Sequence, residues 1–405
     1  MASIKDKLTF GNITFNNRVV IQPMEGCDCE FDDGRPSELT LKKYINNARS
    51  GAGIIWFEAN AVCKEGRTNH RQMMITEQNV DAFKDMLKQV RETAMKEFGY
   101  SPICIIQLTH SGRQSIVPMI AYRHPLYEKT RPVTDANIVT DEYLDTLPDL
   151  YVKAAKLAKE AGFDGVDVKS CHGYLFQEVL SGFTRPGRYG GSFENRSKLF
   201  IDSITKVRAA MPKDFIVASR ISITDMIPKP YGFGTTEDNK MDLTEPKKLI
   251  GILEKLGIKL INITLGNPYY NPHVNRPFKK GPYTPEEKPE VGLKRFYDVG
   301  KELKKTFPNM YFVVSGLSYY REDLFTQSEK LLNDGCADLV GYGRMSLAYP
   351  TFYADYLKGK FQPNKCCLAC SNCTVLMRHK QVAGCAVFNE YYRNLLKEKV
   401  LCQKK

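Results

Sequence analysis

Eight short runs of apolar or β-branched residues punctuate the chain, at 19–22, 54–58, 103–107, 165–168, 216–220, 260–264, 312–315 and 339–341. Each has the length and residue mix of a parallel strand buried on both faces, where the alternation of polar and apolar positions is lost. Between most of them the spacing changes. Residues 80–98, 147–161, 195–211, 245–256, 292–307 and 321–334 carry apolar side chains three and four apart and often end near Gly or Pro, which predicts helices. Eight strands alternating with helices predict an α/β fold, a (β/α)8 TIM barrel over 1–360, followed by a short C-terminal segment at 361–405 that is rich in cysteine and basic residues. A doubly wound open sheet is the competing architecture, but no GxGxxG follows an early strand.

A barrel of this kind carries its chemistry at the C-terminal ends of the strands and in the loops that follow. Those positions hold Pro23, Met24, Glu58, Ala59, Gln107, His110, Lys169, His172, Arg220, Ser315, Gly316, Gly343 and Arg344. The segments 109–141, 227–240 and 266–291 are long and rich in Pro, Gly and aromatic residues. Loops of that length usually cover or line a site. Tyr269, Tyr270 and His273 are therefore expected to shape a substrate pocket.

Composition narrows the class. With 405 residues, 42% hydrophobic, 26% charged and 12 Cys, the chain is not disordered, collagen-like or a small disulfide scaffold. No run approaches the ~18 apolar residues of a membrane span, and the N-terminus MASIKDKLTF has no apolar signal core. A soluble, cytoplasmic protein with no membrane partner is expected, its cysteines serving as thiols, metal ligands or catalytic groups. Of the net charge of +12, residues 358–405 contribute +8, from ten Lys/Arg against two Asp/Glu. No nucleic-acid-binding motif accompanies that basicity, so no nucleic-acid partner is expected.

Cys367, Cys370, Cys373 and Cys385 form a C-x2-C-x2-C-x11-C array. Three thiolates at such spacing can converge on a cubane, with a fourth from a following turn. Structural zinc can use the same ligands, and unligated thiols are the third reading. Cys366 adjoins the array, but the regular two-residue spacers favour Cys367. Cys27, Cys29, Cys63, Cys104, Cys336 and Cys402 read as structural thiols.

Several motifs occur together and in order: Asn17-Arg18-Val19 with Pro23-Met24, Gln107-Leu-Thr-His110-Ser-Gly-Arg113, Ala161-Gly162-Phe163-Asp164-Gly165-Val166, His172-Gly173-Tyr174-Leu175, Tyr189-Gly190-Gly191-Ser192-Phe193-Glu194-Asn195-Arg196, Gly341-Tyr342-Gly343-Arg344 and the cysteine array. In these the chain resembles the Old Yellow Enzyme family of flavin oxidoreductases, in particular its iron–sulfur branch, which includes 2,4-dienoyl-CoA reductase and trimethylamine dehydrogenase. The resemblance implies an FMN across the top of the barrel. Pro23, Met24 and Ala59 would border its isoalloxazine, Gln107 would pair with the pyrimidine edge, and Arg220 would place a positive charge beside N1 and O2. Ser315, Gly316, Gly343 and Arg344 would hold the phosphate.

The same resemblance makes Tyr174 the proton donor to the substrate and His172 a hydrogen-bond donor to its activating carbonyl. Lys169 departs from the pattern, since ene-reductases usually carry His there. A lysine can bind a carboxylate or polarise a carbonyl more strongly than neutral imidazole. The implied reaction is reduction of an activated C=C bond in a small unsaturated carbonyl compound or acid, with a [4Fe–4S] cluster on the four cysteines. The larger iron–sulfur relatives continue into FAD- and pyridine-nucleotide-binding domains, which are not expected here. Electrons would come from NAD(P)H, from an electron-carrier protein or from a separate flavoprotein subunit, and a homo-oligomer is compatible with the resemblance. Three alternatives stand beside this reading. The protein would be an oxidative amine dehydrogenase passing electrons through the cluster to an external carrier, an inactive scaffold subunit, or a flavin-free zinc barrel. The basic C-terminal segment would offset anionic cofactors and steer an acidic carrier.

Overall fold

The computed structural model describes residues 1–402 except Lys280 and Pro282. The last basic residues of the tail, Lys404 and Lys405, and Lys280 of the 266–291 segment lie outside the described residues. Eight parallel strands close into a barrel: β3 (Val19–Ile21), β4 (Ile54–Ala61), β5 (Ile103–Thr109), β6 (Gly165–Val168), β7 (Ile216–Ser222), β8 (Leu260–Thr264), β9 (Tyr311–Ser315) and β10 (Leu339–Tyr342). They are ordered β10-β3-β4-β5-β6-β7-β8-β9, so the sheet has no edge, as a (β/α)8 barrel requires and an open doubly wound sheet does not allow. Ahead of them, β1 (Leu8–Phe10) and β2 (Ile13–Phe15) pair antiparallel. Phe15 joins Val20, Ile54, Trp56, Ile105, Ile216, Leu260, Val313 and Leu339 in a core inside the barrel, and Leu8, Phe10 and Ile13 pack against it. A larger apolar layer fills the space between the strands and the outer helices.

The helix at Val80–Phe98 matches its expected bounds and stops at Gly99, whose φ of 73° ends it in the left-handed region. Two differences from the sequence reading have local causes. The helix expected from 147 begins at Asp141, because the Thr140 side chain caps it by accepting from the Tyr143 amide and Pro148 is carried inside it. A helix at Glu38–Ala48 went unpredicted, because its buried positions are Thr40, Tyr44, Asn47 and Ala48, too polar to give an apolar period. Ser37 closes its N-terminus with a capping box through Thr40.

Beyond the barrel, short helices at Asn372–Arg378 and Glu390–Leu396 gather a separate small core of Leu376, Ala386, Leu396 and Val400. This segment is tied to the barrel mouth by the Ala383 amide, which donates to the Gly26 carbonyl at 2.6 Å. Among the described residues no helix is long and apolar enough to cross a membrane.

Candidate active site

A pocket opens at the C-terminal ends of the strands. The loop after β3 brings Pro23 and Met24 to it, β5 brings Gln107, the chain after β6 brings Lys169, His172 and Tyr174, and β7 brings Arg220. Ser315 and Gly316 at the end of β9, with Gly343 and Arg344 after β10, complete the opposite wall. Ala59 does not line it. The β4–β5 register shifts between Phe57 and Ala59, leaving Ala59 buried with its carbonyl accepting from Gln72 Nε2 at 3.2 Å.

Glu58 and His110 are also absent from the wall. Glu58 turns toward Lys43 and Asp28, and His110 Nε2 meets the Tyr143 hydroxyl at 2.9 Å, with burial lowering its pKa to about 4. Of the three long segments, only 266–291 reaches the pocket, through Pro268, Tyr269, Asn275 and Arg276. Tyr270 is exposed, and His273 pairs with the Tyr283 hydroxyl at 2.6 Å instead of lining the pocket.

The floor is built from the barrel interior outward. Asp167 on β6 accepts from Gln107 Nε2 at 2.6 Å, Trp56 Nε1 at 2.9 Å and the Arg220 amide at 2.7 Å, while burial pushes its pKa up to about 6. Gln22 and Asn262 exchange two amide hydrogen bonds, of 3.1 and 2.9 Å, across the barrel. Along the wall, Gly343 lies so close to Met24 that a Cβ would stand 2.9 Å from its Sδ, and Gly316 has a φ of 104°. The backbone at Gly316 therefore requires glycine, while a side chain at Gly343 would have to displace the Met24 thioether.

Several buried donors on this surface have no partner among the described residues: Arg220 Nε, Arg344 Nη1, Arg276 Nε and Nη2, and His172 Nε2. Orphaned donors of this kind each cost roughly 1–3 kcal/mol unless a ligand satisfies them. Unpartnered guanidinium donors in one pocket suit an anionic ligand rich in acceptors. The residues present therefore fit a flavin mononucleotide, whose phosphate and ring oxygens are acceptors.

On the third side His172 has a φ of 67° and Gly173 one of 65°, a left-handed pair that aims the imidazole into the pocket. A Cβ on Gly173 would collide with Asn267. Burial, reinforced by Arg220 and Lys169, holds the His172 pKa well below the usual range, so the ring is neutral. Tyr174 donates its hydroxyl to Glu25, with Oε1 at 3.1 Å and Oε2 at 3.3 Å, and lies 3.4 Å from the Tyr269 hydroxyl. Burial raises the Tyr174 pKa. Lys169 Nζ sits 3.7 Å from the centroid of the Tyr174 ring, and burial lowers its pKa. Glu25 and Arg276 are pocket residues that sequence reasoning missed; the only signal for Glu25 was its place directly after the Pro23-Met24 motif.

Residues 6–360 match the NADH:flavin oxidoreductase / NADH oxidase family. The chain belongs to that family. It is 26% identical over 369 residues to an NADH oxidase of Thermoanaerobacter brockii, across 89% of this chain and 52% of that protein, so it spans about half the length of that relative. It is 29% identical over 348 residues to an NADPH dehydrogenase of Geobacillus sp. (strain WCH70), covering 84% of this chain and 90% of that protein. The solved structure of 2-naphthoyl-CoA reductase with 2-naphthoyl-CoA shares the fold, with a TM-score of 0.77 at 20% identity, over 95% of this chain and 56% of that one.

In this member of the NADH:flavin oxidoreductase family, the matched region stops ahead of the cysteine array. Cys367, Cys370, Cys373 and Cys385 all line one small cavity beside Arg344, and Cys373 also reaches the wall of the main pocket. Cys366 turns the other way, its thiol toward the Arg321 carbonyl at 3.8 Å. Among the described residues no group of three or more His, Cys, Asp or Glu is drawn together tightly enough to hold a single metal ion. Cys171, not singled out from the sequence, is buried beside Lys169 and His172, and Cys402, read as a structural thiol, is exposed.

Proposed function

We propose that the protein is an FMN-dependent ene-reductase that reduces the activated C=C bond of an α,β-unsaturated carbonyl compound or acid. The observation that carries this reading is the convergence of Lys169, His172 with its unpartnered Nε2, and Tyr174 over a floor made by Gln107 and Arg220. When bound, the flavin supplies hydride to the substrate β-carbon. The chain's own groups do the rest. His172 Nε2 and Lys169 bind the activating oxygen, on which negative charge grows as hydride arrives. Tyr174 then protonates the α-carbon. Gln107, held by Asp167, and Arg220 would orient the ring system, while Ser315, Gly316, Gly343 and Arg344 would bind the phosphate.

We assign the four cysteines that line one cavity to a [4Fe–4S] cluster, on the two-residue spacers that separate the first three and the fourth thiol that follows. In this reading 1–360 holds the flavin and 361–405 the cluster. Electrons enter directly from NAD(P)H, as the family's dehydrogenases suggest, or through the cluster from a protein carrier.

Anaerobic stopped-flow tests the proposal. Reoxidation of the reduced flavin by an enone or an enoate is expected, with Tyr174→Phe slowing that step about 10²-fold or more while leaving flavin reduction nearly unchanged. Bleaching of the flavin by an amine, with no reoxidation by either acceptor, would overturn it in favour of an oxidative amine dehydrogenase.

A further inference from the structure

Arg276 stands in the pocket wall on the loop after β8, and the chemistry described above gives it no role. Its Nε and Nη2 are buried without a partner among the described residues, and so is Nη1 of Arg344 on the same wall. The two side chains come from chain segments that touch: Arg344 Nη2 stands 3.5 Å from the carbonyl of Pro277, the residue after Arg276. Among the described residues Glu25 is the one carboxylate lining this pocket, and it is taken up by Tyr174 and Gln72.

Two features of this pair point to an oxyanion. Nε and Nη2 form one edge of a guanidinium, the two-point donor that a single carboxylate or phosphate group takes side-on. Both oxygens of a carboxylate are used by that edge, whereas a phosphate monoester keeps a third oxygen for Arg344 Nη1. Like charges also face each other here. Burial and the neighbouring Arg344 lower the Arg276 pKa to about 10, a cost that an anion bound by both side chains removes.

We propose that Arg276 is a second guanidinium ligand of the flavin phosphate, gripping it side-on while Arg344 takes a further oxygen. The inference rests on the flavin site of the reading above and holds whichever way the electrons run. It gives the phosphate a contact on each of two chain segments, the loop after β8 and the chain after β10. The first of these also carries Tyr269 into the pocket, so the group that anchors the cofactor also braces the loop on the substrate side.

The test titrates the full-length apoprotein with FMN and with riboflavin, which has the same ring system and no phosphate, and follows flavin fluorescence. Arg276→Met is expected to weaken FMN binding about tenfold or more and to leave riboflavin binding unchanged. Arg276→Lys keeps the charge but loses the two-point edge, so its FMN affinity should fall between the two; it carries the same comparison if the Met variant does not fold. Thermal melts give a second readout. Without flavin, Arg276→Met should melt no lower than wild type, because an unpaired buried charge is gone, yet it should gain less from added FMN. Equal losses for FMN and riboflavin, or a lower melting point without flavin alongside wild-type FMN affinity, would overturn the proposal. So would unchanged FMN affinity with a raised KM for cinnamate but not for 2-cyclohexenone, which would give Arg276 to a substrate carboxylate. Wild-type protein that bound neither flavin would overturn the flavin site and the proposal together, whereas a flavin that neither acceptor reoxidised would overturn the ene-reductase reading alone.

Discussion

Asp167 holds Gln107 by its amide, accepting from Nε2 at 2.6 Å at the base of the pocket. The same carboxylate accepts from Trp56 and from the Arg220 amide, so one buried acid fixes two residues proposed to face the flavin. Asp167→Asn presents one oxygen where three donors converge. It should weaken FMN binding about tenfold to a hundredfold, the equivalent of roughly 1.5–3 kcal/mol for a charge-assisted hydrogen bond, as read by flavin fluorescence on titrating the apoprotein. Stability should respond to pH in a defined sense. Because burial raises this carboxyl from 3.8 to about 6, the wild-type apoprotein loses stability as pH rises through that window, and the Asn variant should not.

Lys43 serves two buried acids. It bonds Asp28 at 2.9 Å and also Glu58, whose pKa is raised to about 7 by burial and by Asp28. Lys43→Met would leave both acids without their cation, at a cost of about 3–5 kcal/mol seen in thermal melts. The loss should be smaller at pH 5 than at pH 8, since a proton on Glu58 substitutes for the missing charge.

Arg220 is buried with an unpartnered Nε in the pocket. If it stabilises the anionic reduced flavin, Arg220→Met should lower the flavin midpoint potential by about 30 mV or more, equivalent to about 1.4 kcal/mol for a two-electron couple. An unchanged potential in a spectroelectrochemical titration would remove Arg220 from that role.

Neighbouring cysteines should behave differently. Cys367 faces the shared cavity and Cys366 faces the Arg321 carbonyl. Cys367→Ser is expected to lose iron and acid-labile sulfide, and Cys366→Ser to retain both. Equal retention by the two variants would argue against cluster ligation by Cys367.

The strands were legible because a parallel barrel strand is buried on both faces and leaves a continuous apolar run. All eight appear where those runs lie. Pocket residues next to strand ends were legible for the same reason, as with Gln107, Lys169 and Arg220. Ala59 and Glu58 were misjudged because a register shift in β4 cannot be seen in its residues, and that shift decides which of them meets the mouth. Glu25 and Arg276 were missed because they sit on loops whose paths are set by contacts distant in sequence. The Asn271 amide, for example, bonds the Asp225 and Met226 carbonyls and so anchors the loop that carries Arg276.

Gly26 is gripped from two directions. Its amide donates to Glu58 Oε2 at 2.6 Å from the barrel side, its carbonyl accepts from Ala383 on the other, and a Cβ there would collide with Asp28 and Lys43. The loop bearing Glu25 and the chain entering Cys385 therefore share a single clasp. A change in the cysteine-bearing segment that displaced Ala383 would therefore loosen one side of the pocket wall that carries Glu25, while the bond to Glu58 held the other.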